Sequence, residues 1–392
     1  MLKFSKNTFY TGTTSPLFTS EIARKVRSFH KKIEGYTPTP LVSLPALAER
    51  LGVKSIQVKD ESYRFGLNAF KVLGGSYALG RLLAEHLQID IDEVDLKTIS
   101  SKLKKPLIFA TATAGNHGTG VAWAAREMGQ TAVVYMPKGS PQASVDRIRG
   151  LGAECIVTDV NYDDTVRLAS QTSDKNGWML VQDTAWEGYE KIPTWISQGY
   201  TTMAAEALEQ TAEAPTHVML QAGVGAMAGG ILGYLADELG SENFNTVISE
   251  PRAADCIYRS GTSKAGDMIS VDGDLNSIMA GLACGEPNPL TWPVLRDCSN
   301  AFASVTDSVT ATGMRILGNP LQGDTAIISG ESGGINMGLL YQMAVHPEGK
   351  LLAETVGLNK DSVVLIFSTE GDTNPERYRH IVWEGSLPTT KD

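Results

Sequence analysis

The chain has 392 residues, 42% of them hydrophobic and 20% charged, with a formal net charge of −10. That length and balance suit a soluble globular protein with two domains, and the acidic surplus counts against nucleic-acid binding, which wants basic stripes. No apolar run reaches membrane length and the start, MLKFSKNTFYTGTTSPLFTS, lacks the apolar stretch of a secretory signal, so no membrane association and a cytoplasmic location are expected.

The apolar runs are taken in chain order. SIQVKD (55–60) reads as a strand, and a helix follows over 71–87. The charged stretch 88–105 reads as a solvated helix and loop. Then strands and helices alternate: strand 107–112, helix 116–128, strand 131–136, helix 142–151, strand 154–158, helix 163–175, strand 178–183 and helix 194–211. The alternation resumes with strand 217–222, helix 226–239, strand 246–250, helices 306–318 and 333–346, strand 362–368 and helix 376–383. Apolar runs without alternation suit strands buried on both faces, and strand–helix repetition means parallel sheets. Cys155, Cys256, Cys284 and Cys298 show no CxxC pairing and no companion histidines, so neither a metal site nor a disulfide scaffold is expected.

In open α/β folds, ligands sit where strands end and helices begin. Three such loops stand out. LIFATA is followed by TAGNHG (113–118), a polar turn into a helix. HVMLQA is followed by GVGAMAGG (223–230), whose small residues let the backbone approach a phosphate. SVVLIFS is followed by TEGD (369–372), where Glu370 and Asp372 read as caps of the last helix. A fourth feature is Lys71, set between Phe70 and Val72 in RFGLNAFKVLGGSYALGRLL (64–83). A buried ammonium is costly unless paired or used. A lysine at a helix start, with a phosphate loop elsewhere, suggests a Schiff base to pyridoxal 5'-phosphate. The G-x-G-x-x-A spacing with Glu250 also fits a dinucleotide site, but that reading leaves Lys71 without a role.

FKVLGG, TAGNHG, GVGAMAGG and STEGD together resemble the fold-type II pyridoxal phosphate enzymes, the tryptophan synthase β and threonine dehydratase group. ESYRFGLNAFKVLGGSYA, QDTAWEGYEKIPTWISQGY and FSTEGDTNPERYRHIVWEG resemble one branch of it, over about 35–385. The resemblance implies an α/β, two-domain fold-type II enzyme with parallel-rich, open twisted sheets flanked by helices. The large cofactor-binding domain would comprise 1–78 plus 187–392 and the small one 79–186, with the cofactor between them. The expected assembly is a homodimer.

The resemblance also implies roles. Lys71 carries the Schiff base, and Asn116 hydrogen-bonds the cofactor's phenolic oxygen. The N–H groups of Gly223, Val224, Gly225, Ala226 and Met227 hold the phosphate. Thr369 faces the ring nitrogen, with Ser368 as its alternative. Thr113, Ala114, Gly115, Asn116 and His117 bind the substrate carboxylate. Asp183 contacts the substrate, or caps the loop before Trp186. The implied reaction is β-elimination of 2,3-diaminopropionate to pyruvate and two ammonia, with Lys71 as base for the L-isomer.

One position departs from the branch's pattern. Its turn reads TDGNHG, and here Ala114 stands where the aspartate is expected. That carboxylate would take the α-proton of the D-isomer, and an alanine offers no base. Two origins fit: a natural, dehydratase-like turn, or a substitution that traps a step. The rivals are a serine/threonine dehydratase, a β-replacement synthase, a nicotinamide-dependent dehydrogenase, and a cofactor carrier silenced by Ala114.

Overall fold

The structure, a computed structural model, describes residues 1–113 and 115–388. Eleven strands occur among them: β1 (Leu2–Lys6), β2 (Leu41–Ser43), β3 (Ser55–Asp60), β4 (Ile108–Ala112), β5 (Thr131–Met136), β6 (Glu154–Val157), β7 (Met179–Leu180), β8 (His217–Gln221), β9 (Asn245–Pro251), β10 (Ala301–Val305) and β11 (Val363–Ser368). The chain forms two compact units. One comprises Met1–Ser20, Pro38–Ala69 and Met203–Asp392; the other comprises Glu21–Thr37 and Phe70–Thr202. The sequence-based borders at 78/79 and 186/187 lie elsewhere, and they assign Glu21–Thr37 to the large domain. No compositional break marks the observed borders.

The larger unit holds a seven-stranded sheet in the order β1-β10-β9-β8-β11-β3-β2. The five inner strands are parallel, and β1 and β2 close the edges antiparallel. Strands β8, β10 and β11 are buried at every position, which is why their sequences are apolar without alternation. Beyond β3, the segment Glu61–Gly66 is held by a buried charge cluster. Arg64 bonds Glu61 at 2.8 Å and Glu206 at 2.7 Å, and Lys59 reaches Glu206 at 2.7 Å. Two cations against two carboxylates leave no net charge inside, and removing any one would strand its partners at a cost of about 3–5 kcal/mol.

The smaller unit holds a four-stranded parallel sheet in the order β6-β5-β4-β7. Strand β7 is shorter than its apolar run predicts, because side chains replace the ladder. The Gln182 Oε1 accepts from Ala112 N at 3.0 Å, and the Tyr189 hydroxyl accepts from Gln182 N at 2.9 Å. The helix expected over 194–211 is two helices, Lys191–Gly199 and Thr201–Gln210. Near the break, a Cβ on Gly199 would lie 2.5 Å from Leu73 O. The charged stretch 88–105 forms two short 3-10 turns instead of a solvated helix, and Ile91, Val94 and Ile99 bury their side chains.

Candidate active site

Lys71 is the residue just before the helix Val72–Leu87, which is apolar nearly all round and buried along its first two turns. A second helix, Asn116–Glu127, crosses it at backbone contact. A Cβ on Gly120 would lie 2.9 Å from both Val72 Cα and Val72 N, and 3.1 Å from Lys71 C. Only glycine permits this approach, and it fixes the backbone of Lys71 against the helix that begins with the 113–118 turn.

The Lys71 Nζ donates to Asp183 Oδ2 at 2.7 Å, with the two side chains 22% and 14% exposed. Burial alone would push the Asp183 carboxyl up, but positive charge beside it, on His117 where that is protonated and on Lys71, holds it well below the usual carboxylate range. His117 is buried, and desolvation pulls its imidazole below the ordinary histidine value, so it is neutral near pH 7. The Lys71 ammonium is therefore the charge that keeps Asp183 ionised. The His117 Nε2 bonds Val181 O at 2.9 Å, and a carbonyl only accepts, so the proton sits on Nε2. His117 Nδ1 is left without a hydrogen bond, 3.9 Å from Asp183 Oδ2.

Tyr200, which sequence reasoning passed over, belongs to the same group. Its ring packs on Phe70 at 4.8 Å, and its buried hydroxyl has no hydrogen-bond partner. Burial pushes that phenol well up, helped by the Asp183 charge and opposed by Lys71. The phenol thus senses both members of the pair. Its sequence signal is faint: a tyrosine inside a run that reads as one continuous helix over 194–211.

In the 113–118 turn, Thr113 Oγ1 accepts from Gly115 N at 3.0 Å, and Asn116 and His117 open the helix. The structure thus brings Lys71, Thr113, Gly115, Asn116, His117 and Asp183 into one unit. Ala114 lies outside the described residues.

In the larger unit, β8 leads through Gly223, Val224 and Gly225 into the helix Ala226–Leu239. Gly225 has φ 95°, a left-handed conformation that favours glycine. The first intrahelical bond runs from Gly229 N to Gly225 O at 2.8 Å, so the N–H groups of Ala226 and Met227 have no partner within the helix. Such a start binds anions. Glu250 does not serve a ribose here. Its buried carboxyl group accepts from Ile257 N at 2.9 Å and Tyr258 N at 2.6 Å. The dinucleotide reading loses its acid.

At the end of β11, the Ser368 hydroxyl donates to Ser329 Oγ at 2.8 Å. Thr369 Oγ1 accepts from Gln221 Nε2 at 3.1 Å. Its own proton has no acceptor among the described residues. Thr369, not Ser368, therefore has a proton to offer. Glu370 and Asp372 do not cap the last helix as expected. Glu370 accepts from Ser332 N at 3.0 Å and Asp372 from Asn68 Nδ2 at 3.1 Å, while Asn374 caps Pro375–Val382.

These donor sets fit pyridoxal 5'-phosphate. They comprise an amine, a helix start for the phosphate, and a buried hydroxyl with an unclaimed proton for a ring nitrogen. The chemistry agrees with the comparisons. The pyridoxal-phosphate dependent enzyme family matches residues 33–368. The diaminopropionate ammonia-lyase of Escherichia coli K12 is 58% identical over 387 residues, covering 98% of this chain and 97% of that protein. The Salmonella typhimurium protein of the same name is 50% identical over 398 residues, covering 98% of each. The crystal structure of the Escherichia coli enzyme in complex with D-serine matches with a TM-score of 0.94 at 56% identity, covering 99% of this chain and 98% of that one.

Proposed function

The chain belongs to the pyridoxal-phosphate dependent enzymes, in the branch of the diaminopropionate ammonia-lyases, and from that premise we propose the following division of labour. The protein is a lyase that uses pyridoxal 5'-phosphate and converts 2,3-diaminopropionate to pyruvate and two ammonia. When bound, the cofactor supplies the electron sink for the carbanion left by loss of the α-proton.

Lys71 would hold the cofactor through its aldehyde carbon, and its Nζ, when free, would take the α-proton of the L-isomer. The N–H groups of Gly223 to Met227 hold the phosphate, Asn116 the phenolic oxygen, and Thr369 the ring nitrogen. The Thr113–His117 turn holds the substrate carboxylate. Asp183 holds the β-nitrogen in its ammonium form, so that when the Cβ–N bond breaks the bonding pair goes to nitrogen and neutral ammonia leaves without losing a proton first. The 2-aminoacrylate that leaves hydrolyses in water to pyruvate and the second ammonia.

The observation that carries this reading is the Lys71–Asp183 pair at 2.7 Å. A carboxylate that already holds one primary ammonium is suited to hold another, and it has less to offer a serine or threonine hydroxyl. The charge therefore favours diaminopropionate over the dehydratase substrates. The relatives at 50% and 58% identity carry the ammonia-lyase name and lend no support to the dehydratase or β-replacement alternatives.

The test is a parallel assay of pyruvate and ammonia from L- and D-2,3-diaminopropionate, serine and threonine. Two ammonia per pyruvate from the L-isomer, lost in Lys71→Ala, is the expected result. A larger kcat/KM on serine or threonine would overturn the substrate assignment. No helix among the described residues is long and apolar enough to cross a membrane. A cytoplasmic homodimer is the accompanying reading. It is supported by four free thiols, which suit a reducing compartment, and by the family resemblance. Sedimentation velocity tests the dimer.

A further inference from the structure

The strand β8 ends on a buried glutamine. Gln221 is 1% exposed, and nothing in the division of labour above uses it. Its Nε2 lies 3.0 Å from Phe367 O, 3.2 Å from Ser332 O and 3.1 Å from Thr369 Oγ1. Two of these three neighbours are carbonyls, which only accept, so the amide nitrogen must face them. Its orientation is fixed a second time from the other end. Gln221 Oε1 accepts from Asn336 Nδ2 at 2.8 Å. Asn336 Nδ2 also donates to Met219 O at 3.2 Å, and Asn336 Oδ1 accepts from Ser249 Oγ at 2.7 Å. Ser249, Asn336, Gln221 and Thr369 thus form one buried chain in which every amide has a single consistent orientation.

The chain has a direction. An amide nitrogen carries protons and does not accept one, so the Thr369 hydroxyl cannot turn its proton toward Gln221. The neighbouring Ser368 hydroxyl, which could compete, is engaged with Ser329. We propose that Gln221, clamped by Asn336 and Ser249, is a positioning residue that fixes Thr369 as a hydrogen-bond donor only, so that the cofactor's pyridine nitrogen accepts a proton-bearing hydroxyl and stays unprotonated. The proposal rests on the reading that Thr369 faces that nitrogen. A ring nitrogen that only accepts withdraws fewer electrons than a pyridinium. The carbanion formed at the α-carbon is then less spread out, and early loss of the β-nitrogen is favoured over return of the proton.

The holoenzyme reconstituted with cofactor labelled with 15N in the ring separates the two layers of this argument. Thr369→Val should move the ring 15N resonance toward that of a pyridine with no hydrogen bond. Gln221→Met should move it in the same direction. The double variant should go no further than Thr369→Val alone, because both act through one hydroxyl. Cofactor affinity in Gln221→Met should fall about fivefold, the net worth of one hydrogen bond. If Thr369→Val leaves the resonance in place, the reading of Thr369 fails and takes the proposal with it. If Thr369→Val moves it and Gln221→Met does not, the reading of Thr369 stands and the role of Gln221 is refuted. Should Gln221→Met not fold, Asn336→Leu releases the amide from its clamp and is judged by the same two outcomes.

Discussion

Asp183 receives a hydrogen bond from the Lys71 ammonium at 2.7 Å while His117, its other close neighbour, is neutral and bonded elsewhere. The arrangement gives Asp183 one charged partner, the residue that the proposed function assigns to the Schiff base. On the proposed division of labour, Lys71 leaves and the carboxylate takes the substrate's ammonium in its place.

Asp183→Asn should therefore lower kcat on L-2,3-diaminopropionate by about 10²-fold, the lower end of what proton-handling groups contribute. The apoprotein gives a separate readout. A carboxyl held below its usual range adds stability that is complete above the unfolded value and disappears as pH falls through the folded one. Urea denaturation should show wild type ahead of Asp183→Asn by about 1–2 kcal/mol at pH 7, with the gap closing below about pH 4. A gap that is flat across this range would mean that the ion pair does not contribute.

Gly120→Ala tests how Lys71 is held. The new methyl would meet Val72 backbone atoms at 2.9 Å, and backbone cannot rotate aside. The expected loss is about 1–3 kcal/mol of stability from overpacking, together with a fall in kcat as the Lys71 backbone shifts. Thermal melts and borohydride trapping of the cofactor on Lys71 would report the two effects independently. Wild-type trapping kinetics in a destabilised protein would show that the contact supports the fold alone.

Glu331 carries a pH signature of opposite sign. It is 5% exposed, and burial first, then the Glu370 charge, pushes its carboxyl up to about 7 from an ordinary 4.5. The folded state then binds more protons than the unfolded state across that interval, so stability falls as pH rises through it. Glu331→Gln should match wild type near pH 4.5 and exceed it by roughly 1–3 kcal/mol at pH 8. A wild-type advantage at pH 8 would show that Arg377, 3.8 Å away, compensates the buried charge fully.

Ala114→Asp addresses stereochemistry. The turn it occupies carries an aspartate in the pattern this branch resembles, and the alanine has no proton acceptor. Supplying the carboxylate should raise kcat/KM for D-2,3-diaminopropionate relative to the L-isomer. An unchanged isomer ratio would refute the role assigned to position 114.

Much of this was legible in the residues, for a physical reason. Strands β8 and β11 are buried on both faces, so HVML and VVLIF are unbroken apolar runs, and the loops after them were found by following those runs. Strands β1 and β10 escaped. LKFSK alternates over five residues with two lysines, and AFASV is short and rich in small residues; their pairing with one another gives neither a local signal. The break at Tyr200 escaped because its cause is not local: Leu73 O crowds Gly199 from another helix. Gln221 left a clue that was not used, since a glutamine closing a strand of buried apolar residues needs partners. Those partners, Ser332, Asn336, Phe367 and Thr369, lie far away in sequence and no spacing rule connects them.

The last strand of the chain, β11, is inserted between β8 and β3 in the middle of its sheet. During synthesis, everything up to Asp361 can emerge from the ribosome while β3 and β8 each still expose an open hydrogen-bonding edge. The sheet can close only when the final stretch arrives, so the nascent chain spends most of its birth with two sticky flanks. Premature termination before Val363 would leave those flanks open permanently, and such fragments should depend on chaperones or precipitate rather than persist as a weakened enzyme.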